Sequence, residues 1–500
     1  MTSTTSPIIA QAQDQFEALL EVVAGPGNRE LSAAAAELTI FRGLLRLGAT
    51  LLGLFFEQRG VARPVGPVIS PAGVSLPYHD RRSISYRSIF GKLTIWRHAF
   101  TVTGQPVICP LDAELSLPER CYSDLLLEWA GYGATVGAYR ESQTMLERLL
   151  ELPLSVQAIE TGVQEAATDV AAFAAQAVVA TATEPPGRLL VVQADGKGVP
   201  MVPAETGATP ASRAVRRGKG QPSGTKKEAI VTAVYTIETA ERSPAEVVAR
   251  LLPADEVPAS DRPVKPPTWP RPVNKELRAS LDGKTAAVTR LAARAGEYDG
   301  PGITQRVALT DGADALQRAM LTLLPTYTLV LDIIHAVEYL WAAANGLLGE
   351  RHPDRTDWVR TRLVQLLSGQ VAAVISDLEG VAEASTTSAI ARAQLLRTAG
   401  YYRRNAPFMR YDAYLAAGWP IGTGVIEGAC GHLVKDRMEQ AGMRWTKVGA
   451  QAVLDLRAVR LNGQWDAYWD FHRRRAHARR YGSAPPTLVP VDLHVLAPAA

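Results

Sequence analysis

Two short apolar runs in this 500-residue chain each stop at an aspartate followed by glycine: RLLVVQADG, with Asp195, and RVALTDG, with Asp311. Few other features limit the possible folds as strongly. An uninterrupted run of β-branched and aliphatic residues of this length reads as a strand buried on both faces. A carboxylate inside such a strand is costly unless a charged or hydrogen-bonding group meets it. Acids therefore collect where strands leave a sheet, which is also where α/β sheets gather functional side chains. Two ordinary readings stay open: an Asp before Gly is a common turn former, and an Asp at a helix start is a common cap.

The surrounding segments extend the pattern. KEAIVTAVYTIE has strand composition, a helix is expected from about Asn274 to Ala295, and TLVLDIIHAVEYLWAAANGLLG reads as strand then helix. Residues 355–400 read as almost entirely helical. The order describes a mixed α/β core, residues 185–345, interrupted by an all-helical insertion, 346–418, and completed by helices over 419–482. Residues 483–500 read as a tail. Upstream, 1–84 reads as a helical region followed by a Pro/Gly/Ser-rich linker over 61–85, and 85–184 as a small β patch with helices. FRGLLRLGATLLGLFFEQRG carries two arginines and is expected as an amphipathic helix packed in a core. No stretch reaches ~18 uninterrupted apolar residues, so no membrane span is expected. A long helix is expected from Ser155, its N-cap, to about Ala182. With the helices before it, it forms a helix-turn-helix-like pattern, which either reads DNA or is simply packed helices.

Charge narrows the partners. Lys and Arg number 53 against 50 Asp and Glu, so nucleic-acid binding would need local patches. One candidate is Arg213, Arg216, Arg217, Lys219, Lys226 and Lys227, a stretch without an acid; another is FHRRRAHARRY, covering Arg473–Arg480. The three cysteines, Cys109, Cys121 and Cys430, form no CxxC, which argues against a disulfide framework and for a reducing compartment. No zinc site is expected.

Glu427, in GTGVIEGACGHLVKDRM, is the candidate third acid. The spacings are 311 − 195 = 116 and 427 − 311 = 116, so the three meet only through the fold. Three carboxylates suit hard Mg²⁺ (or Mn²⁺) ions and in-line phosphoryl transfer. A glycosidase-like carboxylate pair would use the same residues but would leave the basic clusters unexplained.

QADGKGVPM, VALTDGADALQ, LVLDIIHAVEYLW and GTGVIEGACGHLVKDRM with GMRW together resemble the DDE transposases of bacterial insertion sequences, specifically the Kra-type family, over about residues 85–472. The resemblance implies an α/β, RNase H-like core with a helical insertion. It implies Asp195 as first acid on the first core strand, Asp311 as second after the fourth, and Glu427 as third on a later helix. Asp332 and His335 match an Asp-x-x-His pattern, with His335 orienting the scissile phosphate. Lys435, Arg437 and Arg444 would hold phosphates. Many such enzymes place the basic residue one position earlier, where this chain has Val434. The implied partners are double-stranded DNA, as element ends and target, and further copies of the chain, acting in the bacterial cytoplasm at the nucleoid. A nuclease without strand transfer, or a non-catalytic DNA-binding derivative, would carry the same residues.

Overall fold

The computed structural model describes residues 7–64, 66–176, 187–206, 225–252, 269–384, 387–440 and 442–482. The chain divides into two compact units, Met1–Phe173 with Gln464–Ala500, and Ala174–Gly463.

In the first unit, α1 (Pro7–Ala24) and α2 (Ala33–Val61) form an antiparallel hairpin. Ser32 starts α2 by accepting a hydrogen bond from the Ala35 amide at 3.3 Å. The expectation that this apolar segment lies in a core is not met. α1 buries no residue, and α2 buries only Phe56 and Gly60. Only the C-terminal part of α2 docks, against the hairpin of β1 (Tyr78–Ser88) and β2 (Gly91–Phe100), where Phe56, Ile95, Leu111 and Leu117 make a small core. Gly60 is required there, since a Cβ would stand 2.5 Å from the Trp96 carbonyl oxygen. β1 begins inside the expected linker. Its first residues are polar, but a two-stranded hairpin leaves one face in water and tolerates them.

Three helices follow: α3 (Asp124–Val136), α4 (Tyr139–Leu150) and α5 (Val156–Ala167). Ser155 caps α5 as expected, accepting from the Ala158 amide at 3.1 Å. The helix does not run on unbroken; it stops at Thr168 and resumes as α6 (Val170–Gln176). The reason is Asp169, a buried carboxylate beside the C-terminal helix Trp465–Tyr481. Its oxygens lie 2.8 Å from His472 Nδ1, 2.9 Å from Arg475 Nε and 2.6 Å from Arg479. Arg473 pairs with Glu128. Three arginines of the expected DNA-binding tail cluster are thus engaged in ion pairs within their own unit.

The second unit is built on a five-stranded sheet: β3 (Leu189–Pro200), β4 (Lys226–Ile237), β5 (Val273–Ser280), β6 (Gln305–Thr310) and β7 (Thr328–Leu331). The spatial order is β5-β4-β3-β6-β7. The first three strands run antiparallel as a meander, and β6 and β7 then add parallel to β3. The expected helix at Asn274 is instead β5. VNKELRAS pairs with β4, and its Glu276 is buried against Arg278 and Arg294. The helix starts later, as α7 (Lys284–Tyr298), after a turn at Gly283 with φ +91°.

Alternation along the strands sorts two cores. Leu190, Val192 and Ala308 face α7 and α8 (Asp314–Leu323). Leu189, Val191, Val307 and Leu309 face α9 (Ile333–Leu348) and the helical block of α10 (Arg355–Leu367), α11 (Val371–Glu383) and α12 (Ala389–Asn405). The block lies where an all-helical insertion was expected. The molecule is mixed α/β.

Candidate active site

The parallel pairing of β3 and β6 runs from Leu189 opposite Gln305 to Gln193 opposite Leu309, a constant offset of 305 − 189 = 116. Asp195 and Asp311 are separated by the same offset, two residues past the last pair. Strand register therefore accounts for the 116-residue separation of the two aspartates, though not for the like separation of Asp311 and Glu427; Asp195 lies on β3 and Asp311 just past the end of β6. Both also share the parity of Val191 and Leu309, which puts them on the face of the helical block. Asp195 lies within β3, which continues beside β4 after β6 has ended. The site is thus a step in the edge of the sheet.

Each acid is fixed locally. Asp195 accepts from the Gly196 amide at 2.6 Å and from the Cys430 thiol at 3.4 Å. Asp311 accepts from the Ala313 amide at 2.9 Å, and its backbone carbonyl takes the Tyr401 hydroxyl at 2.9 Å. Gly312 has φ +88°, and a Cβ there would stand 2.5 Å from the Tyr401 oxygen, so both backbone and space demand glycine. Burial raises the Asp195 carboxyl above its ordinary range; the Gly196 amide opposes this, and the charge of Asp311 adds to it. Burial and the Asp195 charge likewise push the Cys430 thiol up, which keeps it a neutral donor. Among the described residues, neither Asp195, Asp311 nor Glu427 forms an ion pair.

Asp332 and His335 act as a unit. Asp332, at the N-cap of α9, is buried and accepts from the Ile334 amide (3.1 Å), the Thr423 amide (3.1 Å) and the Thr423 hydroxyl (2.7 Å). Its remaining contact is His335 Nδ1 at 2.8 Å. That bond raises the His335 pKa to about 9 against the opposing effect of burial, with the Asp311 charge contributing, so the ring is an imidazolium at neutral pH.

Glu427 lies on α13 (Gly424–Ala429), whose start is held from two sides. Thr423 is tied to Asp332. The Ile426 amide donates at 3.0 Å to Gln193, a fully buried side chain of β3 that in turn donates to the Tyr235 hydroxyl at 2.9 Å. The Glu427 side chain itself is exposed. The three acids do not converge into one ligand set: among the described residues, no three His, Cys, Asp or Glu side chains are placed to share an ion. Asp195 and Asp311 fit a divalent cation by chemistry, as hard oxygen donors of like charge without a basic partner. Glu427 stands off as an exposed side chain on an anchored backbone.

Beyond α13 the helix widens into a π-turn, Cys430–Lys435. Such turns displace backbone carbonyls, and here Arg457 of α14 (Lys447–Leu461) supplies the partners. Its Nε donates to the Leu433 carbonyl at 2.8 Å, and its guanidinium also reaches the His432 carbonyl. The i→i+5 turn absorbs one extra residue. Lys435 therefore takes the azimuth of a seventh-position residue, about 20° from Glu427, rather than the ~80° of an uninterrupted α-helix.

The remaining basic candidates divide. Lys435 and Arg444 are exposed. Arg437 does not match the expectation of a phosphate contact: it is fully buried, its guanidinium 4.8 Å from the Trp445 ring centre and 3.2 Å from the Met443 sulfur. GMRW and Arg437 thus pack on each other. Lys226 pairs with Glu439 at 2.7 Å, and Lys227 lies opposite Val199. Arg213, Arg216, Arg217 and Lys219 lie outside the described residues. The sequence reading passed over Lys197, two residues past Asp195 on the same face, whose charge reaches Cys430. Strand alternation was the signal that could have found it.

No protein-family model and no curated protein matches the chain. Among solved structures it is similar to the Drosophila P element transposase strand transfer complex, at 9% identity and a TM-score of 0.23, over 72% of this chain and 84% of that one. So loose an overlap bears on neither fold nor chemistry.

Proposed function

We propose that this chain is a DNA transposase with an RNase H-like core, which cuts and joins DNA by divalent-cation-dependent phosphoryl transfer. The observation that carries the reading is the pair Asp195, on β3, and Asp311, just past the end of the neighbouring parallel strand β6, with no ion-pair partner among the described residues. The strand order, an antiparallel meander extended by two parallel strands, supports it. So does the place of the acids, on the first and after the fourth strand of the sheet.

Asp195 and Asp311 would hold Mg²⁺ or Mn²⁺. When bound, one such ion would supply activation of a water or 3′-hydroxyl and a second would supply stabilisation of the leaving oxygen. The chain's own residues do the rest. The His335 imidazolium offers a charged donor to a phosphate oxygen, and Asp332 fixes its ring. Lys197, Lys435 and Arg444 present cations to the DNA backbone. Gln193 and Thr423 hold the start of α13, and Glu427 on that helix would be the third acid. The N-terminal helices would read the element ends, in the cytoplasm at the nucleoid.

The test is a plasmid cleavage and joining assay with the DNA flanking the gene as substrate. Asp195→Asn, Asp311→Asn and Glu427→Gln are each expected to lower cleavage about 10³-fold or more while sparing DNA binding. Undiminished cleavage by all three overturns the proposal. Cleavage without joining by the unaltered chain reassigns it as a nuclease.

A further inference from the structure

The turn that carries Asp311 lies past Thr310, the last paired residue of β6. A planar peptide leaves two soft dihedrals per residue, so a side chain points where the peptide planes on either side of its Cα direct it. Three consecutive carbonyls of this turn are each taken by a separate donor. That of Thr310 accepts from the Asp332 amide at 2.9 Å, that of Asp311 from the Tyr401 hydroxyl at 2.9 Å, and that of Gly312 from the Arg404 guanidinium at 3.1 Å. The first donor belongs to the N-cap of α9. The other two stand three residues apart on α12, and so on one face of it.

The end of α12 is itself anchored around this point. The Tyr401 ring stacks on Tyr339 of α9, with centres 3.8 Å apart and planes 7° from parallel, and the Arg404 guanidinium lies 5.4 Å from the Tyr401 ring centre. Asn405 accepts from Gln317 of α8 at 2.8 Å, both side chains being buried. Tyr402, the next residue along, sends its buried hydroxyl elsewhere, to the Ala336 carbonyl of α9 at 2.6 Å. Two neighbouring tyrosines of one helix thus make similar bonds, and only one of them reaches the loop of an acid.

We propose that Tyr401 and Arg404 are positioning residues for Asp311, so that the helical block, through the C-terminal end of α12, sets the direction of the second acid. This rests on the reading of Asp195 and Asp311 as a cation site. It gives the two acids different supports. Asp195 is held by the sheet itself, opposite Val231 of β4. Asp311 is held from outside the sheet, and a shift of α12 turns it while leaving Asp195 in place.

Mn²⁺ binding to the full chain without DNA, followed by electron paramagnetic resonance, tests it beside urea unfolding without the ion. Asp311→Asn is expected to abolish binding at the site. Tyr401→Phe keeps the ring and removes only the hydroxyl; it is expected to raise the Mn²⁺ dissociation constant about 10-fold or more, as loss of a group that orients a metal ligand does. Tyr402→Phe is the control: it is expected to lower the urea midpoint as Tyr401→Phe does and to leave Mn²⁺ affinity unchanged. Arg404→Ala decides by sign. Loss of a positioning residue weakens Mn²⁺ binding, whereas removal of a cation that acts only by its charge strengthens it. A Tyr401→Phe chain that binds Mn²⁺ like the unaltered one, or an equal loss in Tyr402→Phe, overturns the proposal and leaves the cation site standing. Tighter binding by Arg404→Ala overturns the part given to Arg404. Mn²⁺ binding that Asp311→Asn does not alter removes the cation site, and the proposal with it.

Discussion

Asp169 and Asp195 are both largely enclosed carboxylates, and the chain treats them in opposite ways. Asp169 is met by His472, Arg475 and Arg479. Burial alone would raise its pKa, but the bonds from His472 and Arg479 outweigh it and hold the carboxyl well below the carboxylate range. Asp195 is met by an amide, a thiol and the like charge of Asp311, and is raised. The first carboxylate is neutralised from within and ties a helix break to the C-terminal helix. The second forms no ion pair among the described residues, and only the more distant charge of His335 offsets it. That difference separates a structural acid from the one proposed here as functional more sharply than burial does.

The largest expected effect that tests this contrast is on stability. Asp169→Asn should destabilise its unit by about 1–3 kcal/mol, because it removes the buried acceptor that His472, Arg475 and Arg479 share, whereas Asp195→Asn should leave stability unchanged or raise it. Urea unfolding measures both; equal losses would erase the distinction. The pH dependence has opposite signs. Asp169's contribution is present above the ordinary carboxyl pKa of 3.8 and is lost as pH falls below it. Asp195's penalty appears as pH rises above 3.8 toward its raised value.

A second effect sharpens the functional side. Saturating Mg²⁺ should stabilise the unaltered chain by about 1–3 kcal/mol in thermal unfolding, and should do nothing for Asp195→Asn or Asp311→Asn. A shift that survives both substitutions would place the ion elsewhere. The smallest effect belongs to His335. A raised folded pKa means its stabilisation is complete below the unfolded value of 6.5 and lost as pH passes about 9. The stability difference between the unaltered chain and His335→Gln should therefore be greatest near pH 6 and fade above 9. A difference constant across that range would deny the charged ring.

Much of the central sheet was legible. Runs such as LLVVQAD and VALTD announce buried strands because they are short, rich in β-branched and aliphatic residues, and followed by glycine. The β5 strand was not, since VNKELRAS carries its charges where a helix would and earns its place only by pairing with β4 and by the Glu276–Arg294 contact. The two aspartates were legible as a pair, and the separation between them matches the register of the parallel strands β3 and β6, whereas the like separation of Glu427 has no such origin. What the sequence hid was company. Gln193 looks like any strand residue until Ile426 meets it, and Arg437 reads as a surface cation until Trp445 covers it. The α2 segment reads as core because composition reports apolarity, not what covers it.

The π-turn between Glu427 and Arg437 has a consequence for how the site is tuned. A single helix has one phase, so rotating one end rotates the other. Here Gln193 and Thr423 set the phase of the first half, and the packing of Arg437 on Trp445 sets that of the second. The extra residue lets the two halves be clocked independently. The acid can be aimed at the sheet without turning the Arg437–Trp445 packing away from its own neighbours, and Arg457 is the pin that holds the offset.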